Sequence, residues 1–371
     1  MVTEKMINSN SEQQKMKLGF RCDGSTDIGL GHVVGSIRLA TLLARELGIG
    51  AEFVLRKNPA AKALIKEAGF SMEVLPGEIP PEKDINRLIE KKTESPWSGV
   101  VFNFCKADLE RYTSHFNAIK DSGIALVFMD NPLPPSYRLG DLLINALPHP
   151  DYEGYDPDNH PNCLDGLEYF IPGVIGPSPE RVIKPTAERV LIAMGGADNQ
   201  NLTELVIKGL AEIDYAGYVD VVLGSASPHR ESVQKHMKKS GLAGTVSWNV
   251  SDMYKRMHLA DIGLSGLGLT TYEMAYTCLP ACIVSGSELN ANAAQQYVQH
   301  YGAAVHFGFY KNIDLSSISS RLSKIMDHRE QRLQLSRAGY RVGKKVDQVL
   351  FSVSSVLNLS KPDKSKQEMT D

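Results

Sequence analysis

The chain has 371 residues, 42% of them hydrophobic and 22% charged, and its net charge is −3 at pH 7. This composition supports a substantial core in about two or three domains and excludes a disordered chain. The balanced charge gives no basic surplus for nucleic acid, and the five cysteines lack a C-x-x-C pair, which argues against a disulfide framework or a zinc site. We therefore expect a cytoplasmic protein without a metal.

The first half of the chain alternates short apolar runs with longer amphipathic segments. A polar stretch over 1–16 comes first and predicts a disordered tail, without the apolar core of a signal peptide. From 17 to 146 the predicted strands are KLGFRC, AEFVL, SMEVL, GVVFN, IALVFM and DLLIN. The helical patterns include SIRLATLLARELG, AAKALIKEAG and PEKDINRLIEKK. This alternation predicts a Rossmann-like domain with a parallel sheet.

The alternation stops over 147–185, which is rich in Pro, Gly and Asp and predicts a connection between domains. It resumes over 186–345 with the strands ERVLIAM, YVDVVLG, TVSWN, DIGLSG, ACIVSG and AAVHF. A closing helix is predicted over 346–358 and a disordered tail over 359–371. The predicted fold class is thus α/β, with two Rossmann-like doubly wound domains that face a cleft. No apolar run reaches the ~20 residues of a membrane-spanning helix.

The loop after the first strand, RCDGSTDIGLGHVV, contains Gly29, Gly31 and His32. Glycines at a helix start let backbone N–H groups approach an anion, and an imidazole beside them can act as a general base. The alternative is a tight turn with a histidine near the helix cap, and the G-x-G-H pattern alone favours that alternative.

The second half has a related loop, LIAMGGADNQN, where a strand meets Gly195 and Gly196. Paired glycines at a strand end can cradle a diphosphate, or they can simply turn the chain. Asn199 or Asn201 is expected to cap the helix that follows.

A third loop, DIGLSGLGLTTYEMAYTCLP, joins small residues to a helix start and favours a nucleotide site. The strand is expected to end at Ser265 and the helix to begin near the threonines, with Glu273 in its first turn. N-terminal amides suit a diphosphate, and a carboxylate one turn on suits two ribose hydroxyls. The alternative is a threonine cap with a glutamate favoured by the helix dipole. The candidate binding residues are Ser265, Gly266, Gly268, Thr270, Thr271 and Glu273.

The fourth loop, IVSGSELNANAAQQYV, follows the next strand. Glu288 and Asn290 lie between strand and helix, where side chains that bind sugars often lie. The alternative is an ordinary connection in which Asn290 or Asn292 caps the helix.

The four loops, in this order, resemble a known family. "FRCDGSTDIGLGHV" matches its R-x-D-x-S-x-x-I-G-x-G-H-V, "AMGGAD" its M-G-G-x-D, and "SGLGLTTYE" with "CLP" its glycine loop, T-T-x-E and L-P. "SRAGYRVGKKV" resembles a helix near the family's end. Over roughly 17–357 the chain therefore resembles the UDP-2,4-diacetamido-2,4,6-trideoxy-β-L-altropyranose hydrolases of pseudaminic acid biosynthesis. The wider group includes spore-coat polysaccharide biosynthesis proteins and, more distantly, the peptidoglycan N-acetylglucosaminyltransferase.

The resemblance implies a glycosyltransferase-B-like fold, with the nucleotide held mainly by the C-terminal domain and with no cofactor. It implies that His32 corresponds to the family's catalytic histidine, and that water attacks the anomeric carbon of a UDP-linked amino sugar with inversion and release of UDP. Asp23, close by in sequence, is a candidate to orient the ring or to bind sugar. The expected partner is the UDP-sugar substrate, and the expected state is a monomer or weak homodimer.

Three departures from the family pattern affect the sugar side. GHVVG at 31–35 lacks the family's arginine, FNFC at 102–105 replaces V-D-H-Y, and Asn290 is followed by alanine instead of glutamine. Three hypotheses follow: a UDP-sugar hydrolase, an inverting glycosyltransferase of polysaccharide biosynthesis, and an inactive module that binds a nucleotide sugar.

Overall fold

The computed structural model describes residues 16–24, 29–95, 97–130, 139–146, 162–176, 181–224 and 226–358, with only the backbone of 106 and 107. Apart from Met16, both predicted tails lie outside these residues. Within the described ranges no helix is both long and apolar enough to cross a bilayer.

The first domain is a parallel sheet whose helices come from the segments between the strands. Its strands are β1 (Lys17–Cys22), β2 (Gly50–Arg56), β3 (Ser71–Leu75), β4 (Trp97–Asn103), β5 (Ala125–Met129), β6 (Leu142–Asn145) and β7 (Cys163–Asp165). They lie in the order β3-β2-β1-β4-β5-β6-β7. Its helices are α1 (Gly31–Leu47), α2 (Pro59–Glu67), α3 (Pro81–Glu94), α4 (Lys106–Tyr112) and α5 (Phe116–Asp121).

All six strands predicted for this half are confirmed, and one further strand joins them. Strand β7 lies inside the stretch 147–185 that was predicted as a connection, and it pairs in parallel with β6 through Leu143 and Cys163. The connection is therefore not structureless throughout, because part of it completes the first sheet. The short helices α4 and α5, 7 and 6 residues long, were also not predicted.

The second domain repeats the pattern with six parallel strands. They are β8 (Arg189–Ile192), β9 (Tyr218–Leu223), β10 (Ala243–Trp248), β11 (Ile262–Ser265), β12 (Ala281–Ser285) and β13 (Ala304–Phe309). Their order is β10-β9-β8-β11-β12-β13, and all six were predicted. The helices are α6 (Leu202–Glu212), α7 (Arg230–Lys239), α8 (Met253–Leu259), α9 (Leu269–Tyr276), α10 (Glu288–Tyr301), α11 (Leu315–Asp327) and α12 (Arg329–Gly339).

The last helix, α13 (Val346–Val356), returns to the first domain. Val349 and Val353 are buried in the same apolar cluster as Leu18 of β1 and Leu142 of β6. The predicted closing helix therefore completes the core under the first sheet, so the chain crosses between the domains twice. The exact domain boundaries stay predictions.

The winding direction of each sheet changes at one point, and the candidate loops lie at these two points. In the first sheet β1 lies beside β4, and in the second β8 lies beside β11, so consecutive connections leave to opposite sides of each pair. Parallel doubly wound sheets bind ligands at this crevice, outside the carboxyl ends of the strands. The loops that carry His32, Gly195 and Gly268 all follow strands at these two points.

A buried ion network holds the carboxyl end of β1. The Arg21 guanidinium, which is fully buried, donates to Asp84 of α3 at 2.8 Å and lies 2.7 Å from Asp23. The Tyr112 hydroxyl of α4 donates to the same Asp84 carboxylate at 2.6 Å. Because a buried ion is stable only when it is paired and hydrogen-bonded, these contacts fix the strand end from which the His32 loop departs.

Candidate functional site

His32 is the second residue of α1, and its ring contacts the end of β4. Its Nδ1 lies 2.7 Å from Asn103 Oδ1, while Asn103 Nδ2 donates to the His32 backbone oxygen at 3.2 Å. Turning the amide over would bring two carbonyl oxygens together, so the second bond fixes Oδ1 toward the ring. An amide oxygen only accepts, and Nδ1 therefore carries the proton and Nε2 the free lone pair.

The surroundings of His32 keep this ring neutral. Burial lowers the pKa of His32 below its usual 6.5, and the hydrogen bond that the ring donates to Asn103 and the more distant carboxylates of Asp108 and Asp23 oppose that effect only partly. A neutral ring with a free Nε2 is the form that can accept a proton at pH 7. The geometry thus favours a general base over a histidine that merely caps the helix.

Substituting Asn103 tests this arrangement without any substrate. In Asn103→Asp a carboxylate would replace the amide against Nδ1, and we expect the pKa of His32 to rise by about one unit or more, because an opposite charge favours the protonated ring. Asn103→Leu removes the acceptor and should release the tautomer. Both changes are read from the ring ¹⁵N and ¹H shifts of His32 across a pH titration. An unchanged His32 pKa in Asn103→Asp would contradict the contact.

Asp23 does not orient the ring, which was one of its two expected roles. Its Oδ2 lies 2.8 Å from Arg56 Nε and 2.7 Å from Arg21, and its Oδ1 accepts from the Arg56 backbone N–H at 2.7 Å. The residue is 3% exposed. Two guanidinium groups thus occupy this carboxylate, and it braces the loop instead. Its proposed contact with sugar is not supported by this geometry.

The strand–loop–helix after β11 forms as predicted, but two of its hydroxyls are already engaged. Thr271 Oγ1 donates to the Gly266 carbonyl at 2.7 Å and lies 2.8 Å from Ser265 Oγ, and both side chains are fully buried. Once Thr271 gives its proton to the carbonyl, Ser265 must donate to Thr271. Neither hydroxyl then has a proton for a phosphate, so these residues brace the loop.

The open donors of this loop lie at the start of α9. The helix begins at Leu269, so the N–H groups of its first residues, Leu269 and Thr270, have no intrahelical partner. Gly268 precedes them in an extended conformation, and Thr270 is half-buried. Backbone donors at a helix start suit an anion. Gly266, Gly268 and Thr270 therefore remain candidates for a diphosphate.

The glycine pair after β8 is exposed beside this loop, across the point where β8 meets β11. Gly195 has φ +95°, a conformation that residues with a Cβ rarely adopt. The expected caps are not formed by asparagine: Asp198 accepts from the N–H groups of Leu202 and Thr203 at 2.8 and 3.1 Å. The helix after this loop is thus capped by an aspartate. The role of Gly195 and Gly196 in binding stays a prediction.

The fourth loop likewise has a different cap from the one expected. Ser287 caps α10, because its hydroxyl accepts from the Asn290 backbone N–H at 3.2 Å. Asn290 is therefore the third residue of the helix, and its side chain is exposed after β12. Its side chain is free of the capping role, so its contact with sugar remains a prediction.

Glu273 lies in α9 as its fifth residue, one position beyond the first turn in which it was expected. It is 7% exposed, and its Oε1 accepts from Arg38 of α1 and from the Tyr254 hydroxyl of α8 at 3.3 Å. The Tyr254 oxygen in turn accepts from the Gly173 N–H at 2.9 Å. These contacts engage Oε1, and the role of Glu273 in binding ribose stays a prediction.

The Arg38–Glu273 ion pair joins the two candidate half-sites. His32 and Arg38 belong to the same helix, six residues or roughly 9 Å apart along its axis. Arg38 reaches from the first domain to Glu273 in the second. The helix with the candidate base therefore contacts the helix with the candidate ribose ligand. No sequence pattern marks Arg38 or Tyr254 for this contact, because it depends on how the domains face each other.

A separate cavity of about 260 Å³ lies behind this region, at the other end of α1. It is lined by Arg45, Tyr276 and Lys344 among others, and by none of the predicted site residues. We place the candidate site at the strand ends instead, since the hydrogen-bonded histidine and the open helix donors lie there. Among the residues that the structure describes, no three His, Cys, Asp or Glu side chains are grouped to hold a metal ion.

No family model matches the chain. The chain is 25% identical over 332 residues to the spore coat polysaccharide biosynthesis protein SpsG of Bacillus subtilis (strain 168), covering 87% of this chain and 93% of SpsG. It is 23% identical over 294 residues to the uncharacterized protein MJ1062 of Methanocaldococcus jannaschii, covering 76% of this chain and 58% of that protein.

Solved structures share the fold at lower identity. MurG of Acinetobacter baumannii superposes with a TM-score of 0.66 at 15% identity, covering 92% of this chain and 99% of MurG. UGT2 of Phytolacca americana, in complex with UDP-2-fluoroglucose and pterostilbene, superposes with a TM-score of 0.64 at 13% identity, covering 92% of this chain and all of UGT2 (100%). These matches confirm the glycosyltransferase-B-like fold. The protein therefore combines that fold with similarity, over most of its length, to a spore-coat polysaccharide biosynthesis protein.

Proposed function

We propose that the protein is an enzyme of surface polysaccharide or nonulosonic acid biosynthesis that acts on a UDP-linked amino sugar, with His32 as its general base. The observation that carries the proposal is the Asn103–His32 pair at the strand ends of the first domain. It leaves a neutral ring with its Nε2 lone pair free, which general-base catalysis requires. The similarity to SpsG over 87% of the chain supports the pathway.

The second domain would hold the nucleotide. Glu273 Oε2 accepts from the ribose hydroxyls, and the N–H groups of Gly268, Leu269 and Thr270 donate to the diphosphate. Arg38 and Tyr254 keep the carboxylate in place. Binding the nucleotide in this way places the sugar toward the first domain, where His32 lies.

The reaction that we assign first is hydrolysis. Nε2 of His32 takes a proton from water, the water oxygen bonds to the anomeric carbon from the face opposite UDP, and the anomeric C–O bond breaks. Its electron pair leaves with UDP, whose developing charge is stabilised by the helix N–H groups. The product sugar has inverted configuration, and no redox change occurs.

Glycosyl transfer is the second candidate, because the same base can deprotonate a sugar or lipid hydroxyl. The fold match with UGT2 in complex with UDP-2-fluoroglucose and pterostilbene favours it.

UDP release with and without an acceptor tests the proposal. The protein is incubated with UDP-glucosamine, UDP-GlcNAc, UDP-GalNAc and UDP-2,4-diacetamido-2,4,6-trideoxyhexoses, and UDP is quantified. A hydrolase releases UDP from one of them in water alone, whereas release only after an acceptor glycan is added would assign glycosyl transfer. A parallel thermal-shift panel compares UDP, CDP, GDP and TDP. UDP should raise the melting temperature of the protein more than the other three nucleotides do. No shift with any nucleotide would contradict both candidates.

A further inference from the structure

Asp130 is a carboxylate at the candidate site that neither the base nor the nucleotide contacts employ. It follows β5, whose neighbour β4 ends at Asn103, so both residues lie at the carboxyl edge of the first sheet. Asp130 has φ +56°, in the left-handed region that aspartate and asparagine tolerate best among residues with a Cβ. Its backbone is thus held in an uncommon conformation at the edge where ligands bind.

Asp130 and Asn103 both lie beside Gly35 of α1. A Cβ atom at Gly35 would lie 3.5 Å from Asn103 Nδ2 and 3.9 Å from Asp130 Oδ2. Gly35 is three residues after His32, and helical residues at that spacing are neighbours about 5–6 Å apart. His32, Asn103 and Asp130 therefore lie close together at this edge of the first sheet.

Asp130 has few partners within the part of the chain that the structure describes. Among the described residues it accepts one weak hydrogen bond, from the Ala146 N–H to Oδ1 at 3.4 Å. No Lys, Arg or His of the described residues lies within ion-pair distance of it, although it is half-buried. Burial accordingly raises the pKa of Asp130 to about 7, and the Ala146 hydrogen bond opposes this only weakly. A carboxyl in such surroundings is stabilised by any donor that a ligand brings.

Asp130 also acts on a residue of the second domain. Tyr272 of α9 has a pKa raised chiefly by burial, and the carboxylate of Asp130 adds to that rise. Tyr272 is the neighbour of Glu273 in sequence. Asp130 thus lies near both His32 and the helix proposed to hold the nucleotide.

We propose that Asp130 binds the amino substituent of the sugar, so that the enzyme selects a nucleotide sugar with a free amine over its hydroxyl and acetylated counterparts. This inference rests on the proposed function. Asn103 Nδ2 donates one hydrogen to the His32 carbonyl, and its second hydrogen could give Asp130 only a neutral partner, so the opposite charge would come from the ligand. An ammonium group supplies both the proton and the opposite charge, which an amide or a hydroxyl does not.

Asp130→Asn is the matched variant, because asparagine keeps the side-chain shape and tolerates the same φ. Both proteins carry His32→Ala to prevent turnover, and calorimetry measures binding of UDP, UDP-glucose, UDP-GlcNAc and UDP-glucosamine. We expect UDP-glucosamine affinity to fall by about 10- to 100-fold in Asp130→Asn, as for loss of a hydrogen bond to a charged group, while UDP affinity is unchanged. If Asp130→Asn lowered the affinities for UDP-glucosamine and UDP-glucose equally, or lowered neither, the Asp130 proposal alone would be overturned. Absence of UDP binding in the reference protein would overturn the proposed function and this inference together.

A second measurement needs no nucleotide. A carboxyl whose pKa is higher in the folded than in the unfolded protein binds its proton more tightly when folded, so it lowers stability as pH rises from about 4 to 7. At pH 8 Asp130→Asn should therefore have a higher melting temperature than the unmodified protein. This difference in melting temperature should shrink toward pH 5. A difference that does not change with pH would mean that Asp130 already has a cationic partner, and would overturn the inference.

Discussion

His32→Ala is expected to lower the rate of UDP release by about 10²- to 10⁴-fold, the range over which general bases act. The His32 ring is neutral at pH 7 because burial lowers its pKa. Asn103 of β4 accepts from Nδ1, so the unprotonated Nε2 points away from β4. Removal of the imidazole leaves the nucleotide contacts of the second domain in place, so the affinity for UDP should stay unchanged.

The control is His300→Ala, which removes an exposed histidine near the end of α10. This variant should release UDP at the unmodified rate. If His32→Ala released UDP at the unmodified rate from the sugar that the unmodified protein cleaves, His32 would not be the base. A parallel loss of UDP affinity would instead indicate that the substitution disturbs the fold.

Glu273→Gln is expected to weaken UDP binding by about 10- to 100-fold, because the ribose hydroxyls lose a charged acceptor. It should also destabilise the protein by about 1–3 kcal/mol, since Arg38 would keep its charge at a site only 14% exposed without its counter-ion. Calorimetry with UDP measures the first effect and thermal unfolding the second.

Two variants separate binding from stability. Arg38→Gln breaks the same ion pair but retains the carboxylate, so its unfolding should resemble that of Glu273→Gln while its UDP affinity falls less. Tyr254→Phe removes the hydroxyl that donates to Glu273 at 3.3 Å and accepts from the Gly173 N–H at 2.9 Å, but it keeps the ion pair, so its effect on UDP affinity should be the smallest. If Arg38→Gln and Glu273→Gln lost the same UDP affinity, the carboxylate would be part of the domain contact and not a ribose ligand.

Much of the fold can be predicted from sequence because the central parallel strands are buried on both faces. Runs such as VVFN and ACIV are continuous and apolar, and turn residues separate them from amphipathic helices. Strand β7 escapes this signal, because it has only three residues in a stretch rich in Pro and Gly. Helices α4 and α5 are too short to show a helical period.

The site is predicted less completely, because side-chain partners depend on tertiary contacts. The helix starts near Gly31 and Leu269 follow from local signals. The pairing of His32 with Asn103 follows only once β1 and β4 are known to be neighbours. The hydroxyls of Ser265 and Thr271 were predicted to contact the ligand, but they form hydrogen bonds within the loop. A sequence cannot show to which acceptor a hydroxyl donates its proton.

The central claim is that His32 and Glu273 face one bound UDP-sugar, and a crystal structure of His32→Ala with the UDP-sugar that the unmodified enzyme cleaves tests it most directly. We predict ribose hydroxyls on Glu273 and diphosphate oxygens on the N–H groups that open α9. The anomeric carbon should then lie within roughly 6 Å of the imidazole position, which leaves room for one water between base and carbon. A nucleotide bound away from α9, or an anomeric carbon far from residue 32, would contradict the account.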